Sequence, residues 1–176
     1  MCDACDGALA QLADHLGERG RRLYTLDLEG NRLGSAPFIG QVTNLTSLFL
    51  ASNHLTSLDT SIGKLVSLQS LVVENNHLTS LPDSLCQCEA LTSLHVANNK
   101  LTALPAALSR LSCLQSLQLH SNQLSHISLG VCALYDLEEL TLGHNQLTVP
   151  NTTRNQKPFS PCPFQVWPPG DDRNMW

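Results

Sequence analysis

The sequence predicts an α/β repeat solenoid, right-handed and curved, with a parallel β-sheet on its concave face and short helical or 3-10 arcs on its convex face. Three observations predict it. A leucine opens a new turn of pattern at Leu23, Leu45, Leu68, Leu91, Leu114 and Leu137. An asparagine returns in register at Asn31, Asn53, Asn76, Asn99, Asn122 and Asn145. The letters between these fixed positions drift freely, as in "LQSLVVENNHLTSLP" against "LTSLHVANNKLTALP". The first step is 22 residues and the next four are 23, a self-similarity of the length that stacked coils require.

Within each turn the order is L-x-x-L-x-L-x-x-N-x-L, with Val73 and Val96 replacing the third aliphatic in two of them. The L-x-L alternation sends one residue inward and the next outward, which describes a short strand. Each coil buries its aliphatics only against its neighbours, so no single repeat is stable alone. The asparagine falls where the chain leaves the strand inside the stack. Its amide both donates and accepts, so a column of asparagines forms a ladder that satisfies buried peptide groups.

The second half of each coil repeats too. Leu58, Leu81, Leu104 and Ile127 align, as do Ile62, Leu85, Leu108 and Val131, and then Leu65, Cys88, Leu111 and Leu134. Spacing of i, i+4, i+7 predicts a short helical or 3-10 arc on the convex side. Pro82 and Pro105 fix the turn before this arc, and Asp59 and Ser128 hold the same place in their repeats.

These motifs resemble the leucine-rich repeat family, over Leu23 to about Pro150. The 23-residue form resembles intracellular Ras-group and cell-polarity scaffolds. The 22-residue first step, and the absence of the Leu-Pro pair from two repeats, depart from that subtype. The resemblance implies a non-enzymatic protein-interaction module acting as an intracellular signalling scaffold or adaptor. It implies a protein partner, with a small GTPase or another signalling component as the class suggested. A substrate-recruiting subunit of a ubiquitin ligase and an extracellular receptor or matrix fragment are the alternatives.

Three segments follow: residues 1–22 as an N-terminal capping helix and turn, 23–150 as six repeats, and 151–176 as a proline-rich disordered tail. Asp6 is placed to cap a helix whose Leu9, Leu12 and Leu16 share one face before Gly17, suited to covering the first coil or binding a partner. The tail holds five of the nine prolines and both tryptophans. It reads equally as an improvised cap through Phe159, Phe164 and Trp167, as a linear ligand, or as the product of shortening a longer repeat protein.

At 176 residues the chain suits one domain. A net charge of −5 argues against nucleic-acid binding. No apolar run approaches the ~20 residues of a membrane span. The N-terminus does not read as a secretory signal, and seven irregularly spaced cysteines suggest no disulfide framework. A cytoplasmic (or nuclear) monomer is the expectation, and the sequons at Asn44 and Asn151 carry little weight without a secretory route.

The drifting letters point out of the strands into the concave face. One column there runs Thr25, Ser47, Ser70, Ser93, Ser116 and Glu139, a floor of small hydroxyls. Beside it, partner-binding candidates are Asp27, Glu29, Phe49, Val72, Glu74, His95, Gln118, His120 and Thr141, with His54, His77 and Lys100 at the strand exits. Phe49 next to Val72 is expected to be an exposed apolar spot, the type of anchor that binding surfaces use. His54 and His77 occupy equivalent places in adjacent coils, with rings expected ~5 Å apart. A metal site would need a third ligand that the sequence does not place. No metal, cofactor or catalytic residue is expected.

Overall fold

The computed structural model describes residues 22–148. The capping helix and the tail expected from the sequence lie outside them. Six three-residue strands form one parallel sheet in sequence order: β1 (Thr25–Asp27), β2 (Ser47–Phe49), β3 (Ser70–Val72), β4 (Ser93–His95), β5 (Ser116–Gln118) and β6 (Glu139–Thr141). Their register aligns Leu26, Leu48, Leu71, Leu94, Leu117 and Leu140 in one inward row. The flanking residues of every strand face outward, as period-two side-chain geometry demands. The solenoid expected from the leucine pattern is therefore present.

The return arcs are 3-10 segments at Pro37–Gln41, Thr60–Lys64, Asp83–Gln87 and Ala106–Arg110, followed by a single α-helical turn, α1 (Leu129–Cys132). Between sheet and arcs lies one continuous aliphatic core. Leu48, Leu71, Leu94 and Leu117 in the inward row are 0% exposed, as are Leu65, Cys88 and Leu111 beneath the arcs. Leu140, Leu142 and Leu147 of the last coil are only partly buried, because no described coil covers them.

The asparagine column closes the strand exits. The Asn76 amide donates to the carbonyls of Leu50 (2.9 Å), Val73 (3.1 Å) and Glu74 (3.0 Å). Its Oδ1 accepts from the Leu55 N–H at 3.0 Å. Asn53, Asn99, Asn122 and Asn145 repeat the pattern on the equivalent groups, each reaching the preceding coil. Asn31, in the first described coil, is exposed and, among the described residues, bonds only to Leu28 and Glu29 of its own coil.

The residue before each ladder asparagine has a left-handed backbone: Gly30 (φ 69°), Ser52 (55°), Asn75 (54°), Asn98 (53°), Ser121 (56°) and His144 (54°). This turn aims the following amide into the stack. It explains a column rich in glycine, asparagine and serine, residues that meet the left-handed region at lower cost than branched ones.

The starts of four of the five arcs are fixed by one of two devices. Pro82 (φ −70°, ψ 143°) and Pro105 (φ −54°, ψ 138°) hold an extended N-cap through their rings. Asp59 (φ −66°, ψ 143°) and Ser128 (φ −62°, ψ 142°) reach nearly the same backbone by accepting a side-chain hydrogen bond from the N–H two residues on, Ser61 and Gly130 respectively. The second and fifth repeats thus replace the Leu-Pro pair with a side-chain cap.

Asp59→Ala is expected to cost about 1 kcal/mol at neutral pH, as capping losses do. Hydrogen bonds from the Ser61 hydroxyl and then its N–H hold the Asp59 carboxyl below its usual range. A depressed carboxyl stabilises the fold above its unfolded pKa and loses that contribution as pH falls through the folded value. Thermal melts of wild type and Asp59→Ala are therefore expected to converge as pH drops below about 4.

Cys88 takes the place of a core leucine and its thiol lies 3.3 Å from the Ile62 carbonyl. Burial, with Cys86 adding to it, raises its pKa to about 11, so it behaves as a small unreactive hydrophobe. Cys86, Cys88 and Cys113 are free. Cys132 is disulfide-bonded, which the irregular cysteine spacing did not suggest.

Candidate protein-interaction face

Short strands leave few outward side chains, so the sheet's solvent face is built from narrow columns. The registered row Asp27–Phe49–Val72–His95–Gln118–Thr141 crosses all six strands. Beside it, backbone bonds from Gly30 to Ala51, Ser52 to Glu74, Asn75 to Ala97 and Asn98 to His120 align a second row, Glu29–Ala51–Glu74–Ala97–His120. Asp27, Glu29, His54, His77 and Lys100 are exposed, whereas Glu74, His95, Gln118, His120 and Thr141 are half-buried. Phe49 and Val72 are half-buried as well. The expectation of an exposed apolar spot is corrected accordingly: the two side chains are partly covered rather than exposed.

His95 is the centre of a polar network. Its Nε2 lies 2.9 Å from the Ser93 Oγ and 3.4 Å from the Ser116 Oγ, and its Nδ1 lies 3.8 Å from a Glu74 carboxylate oxygen. The Ser116 hydroxyl donates to Glu139 Oε2 at 2.7 Å, and the Gln118 amide donates to Glu139 Oε1 at 3.3 Å. With its proton directed at Glu139, the Ser116 hydroxyl can only accept from His95, and the donor and acceptor roles at Nε2 follow the tautomer of the ring. Side chains of β4, β5 and β6, with Glu74 beyond β3, are thereby held in one arrangement before any ligand arrives.

The order Ser93–His95–Glu74 resembles that of a nucleophilic triad, but the chemistry does not assemble. The Nδ1–carboxylate separation exceeds hydrogen-bond reach, and the neighbouring Val73 and Val96 N–H groups bond to His95 and Gln118 carbonyls across the sheet. These two donors are therefore not available to stabilise an oxyanion.

His54 and His77 stack with ring centroids 5.9 Å apart and planes 12° from parallel. Among the described residues no group of three or more His, Cys, Asp or Glu side chains is placed to hold a metal ion. No described helix is long and apolar enough to cross a membrane. Sequence reasoning passed over Ser93, Ser116 and Glu139 as parts of the site. The signal was available, since Glu139 alone breaks the column of small hydroxyls.

Comparison with known proteins agrees with this architecture. A family model described as a leucine-rich repeat region matches residues 20–157. No curated protein matches the chain. A leucine-rich-repeat protein of Leptospira interrogans is similar in structure, with TM-score 0.72 and 35% identity, covering 76% of this chain and 35% of the other. The leucine-rich-repeat ectodomain of the Arabidopsis thaliana membrane receptor kinase GASSHO1/SCHENGEN3, in complex with Casparian strip integrity factor 2, is similar at TM-score 0.67 and 33% identity. That match covers 74% of this chain and 17% of the receptor chain. The chain thus spans about a third of the length of the first structure and about a sixth of the second. On the family match, the registered leucines and the asparagine ladder, the chain belongs to the leucine-rich repeat family.

Proposed function

We propose that this chain is a non-enzymatic module that binds a partner protein on the solvent face of its sheet, acting as an intracellular scaffold or adaptor. The observation that carries this is the Phe49–Val72 step, a half-buried aromatic–aliphatic surface in the middle of a polar face already ordered through His95, Ser116 and Glu139. Pre-ordered side chains have little conformational freedom left to lose on binding. An aromatic anchor ringed by polar groups concentrates binding energy at few positions. The family's use as an interaction module, and the neighbour recorded in complex with an integrity factor, support the same reading.

Affinity capture from cytosolic extract tests it. A partner retained by wild type and by the arc variant Lys64→Glu is expected to be lost on the order of thirtyfold in Phe49→Glu, the scale of a hot-spot truncation. Capture unchanged by Phe49→Glu would remove the sheet face from the account.

The extracellular reading is favoured by two specific observations. Cys132 is disulfide-bonded, a state that persists in oxidising compartments. Asn44 of the Asn-Leu-Thr sequon is exposed. Mass spectrometry of the protein from expressing cells decides between them: a glycan on Asn44 and an oxidised Cys132 support secretion, and an unmodified Asn44 with Cys132 reduced supports the scaffold.

A further inference from the structure

The carboxylates of the sheet face are distributed unevenly around Phe49. In its own row the neighbour on β1 is Asp27. In the second row Glu29 and Glu74 stand on either side of Ala51, which is 4% exposed and puts only a methyl group between them. With strands ~4.8 Å apart, the backbones bearing the two glutamates are ~10 Å apart.

Among the described residues none of these carboxylates pairs with a lysine or an arginine. Among the described residues the only ion pairs are His95–Glu74, which requires a protonated histidine, and Arg110–Glu89 on the arc side. Asp27 has one oxygen engaged by the Glu29 N–H at 2.9 Å. Glu139 is the exception on this face, both its oxygens being taken by Ser116 and Gln118. The cations nearest in register, Arg32 and Lys100, stand at strand exits and pair with none of the four.

Unneutralised carboxylates around a half-buried aromatic ring are complementary to one type of side chain. A long cationic residue lays its aliphatic stem on Phe49 and Val72 while its head meets the ring face and the glutamates. A planar guanidinium also pairs with a carboxylate in two parallel hydrogen bonds, which an ammonium cannot do. Building on the interaction reading above, we infer that the Glu29–Ala51–Glu74 gap beside Phe49 receives an arginine side chain of the partner protein. The partner surface is therefore basic, and complementary charge also speeds its encounter with this acidic face.

The test uses the full chain, isotope-labelled, titrated with three short synthetic peptides of otherwise identical sequence carrying Arg-Leu-Arg, Lys-Leu-Lys or Glu-Leu-Glu at their centre. Amide shifts are expected in β1–β3 around Glu29, Phe49, Ala51 and Glu74 with the arginine peptide at ~1 mM, an affinity that a few contacts can supply. They are expected to be weaker with lysine and absent with glutamate. Binding should fall about tenfold in Glu29→Gln/Glu74→Gln, and fall with added salt as exposed charge contacts do. Glu138→Gln, at an exposed position of the last coil, should leave it unchanged. No shifts with the arginine peptide, shifts centred elsewhere, or equal response to the glutamate peptide would overturn the inference. Retention of the captured partner by Glu29→Gln/Glu74→Gln, with loss in Phe49→Glu, would overturn the arginine slot alone. Retention by all variants would remove the interaction face as well.

Discussion

Asn76→Leu is expected to destabilise the protein by about 4 kcal/mol or more, among the largest single effects available here. The leucine matches its surroundings in hydrophobicity, yet it would strand the Leu55 N–H and the Leu50 and Val73 carbonyls that Asn76 satisfies. Each buried unsatisfied group costs about 1–3 kcal/mol. Asn31→Leu is the control: it removes two bonds at an exposed site and should cost less than about 1 kcal/mol. Urea denaturation of the two variants measures the difference.

Asn76→Asp separates hydrogen bonding from shape. Aspartate keeps the acceptor for Leu55 but sets a second carboxylate oxygen against three carbonyls where the amide donated. That raises the folded-state pKa of the introduced acid. A raised carboxyl pKa favours the protonated folded form, so the variant should be more stable relative to wild type at low pH and lose ground as pH rises. A pH-independent difference would contradict the donor role assigned to the ladder.

Gly63→Val is expected to cost about 3 kcal/mol, through overpacking between adjacent arcs. A Cβ at Gly63 would stand 2.6 Å from the Ser84 carbonyl oxygen and 2.5 Å from the Gln87 side-chain oxygen. The glutamine can move, but the backbone oxygen moves only with its coil. Gly40 is equally close-packed, its Cβ meeting that of Ser61 at 2.4 Å. Gly143→Ala on the sheet side, with nothing within 4 Å, should be nearly neutral. Thermal melts that rank Gly63→Val with Gly143→Ala would refute the close arc packing.

The leucine and asparagine columns were legible because they recur six times at fixed spacing, and each has one physical role. The left-handed column was legible in principle, since Gly30, Asn75 and Asn98 fall in it. Ser52, Ser121 and His144 obscured it, being residues that serve elsewhere with ordinary backbone. The arc glycines were harder: Gly40 and Gly63 are followed in the same column by Cys86 and Ser109, so their packing role does not repeat.

The site divides the same way. Which side chains reach the sheet face follows from period two and needs no coordinates. That His95 engages Ser93 and Ser116, while Glu139 is held by Ser116 and Gln118, depends on rotamers that the pattern does not encode. The half-burial of Phe49 likewise is not written in the two-residue period.

The most direct measurement of the central claim places a photoreactive amino acid at the position of Gln118 on the sheet face or, in a second protein, at that of Lys64 on the outer arc, followed by irradiation in expressing cells. A discrete protein adduct is expected from the Gln118 position and none from the Lys64 position. An adduct from the Lys64 position alone would place the interaction on the convex side and contradict that claim.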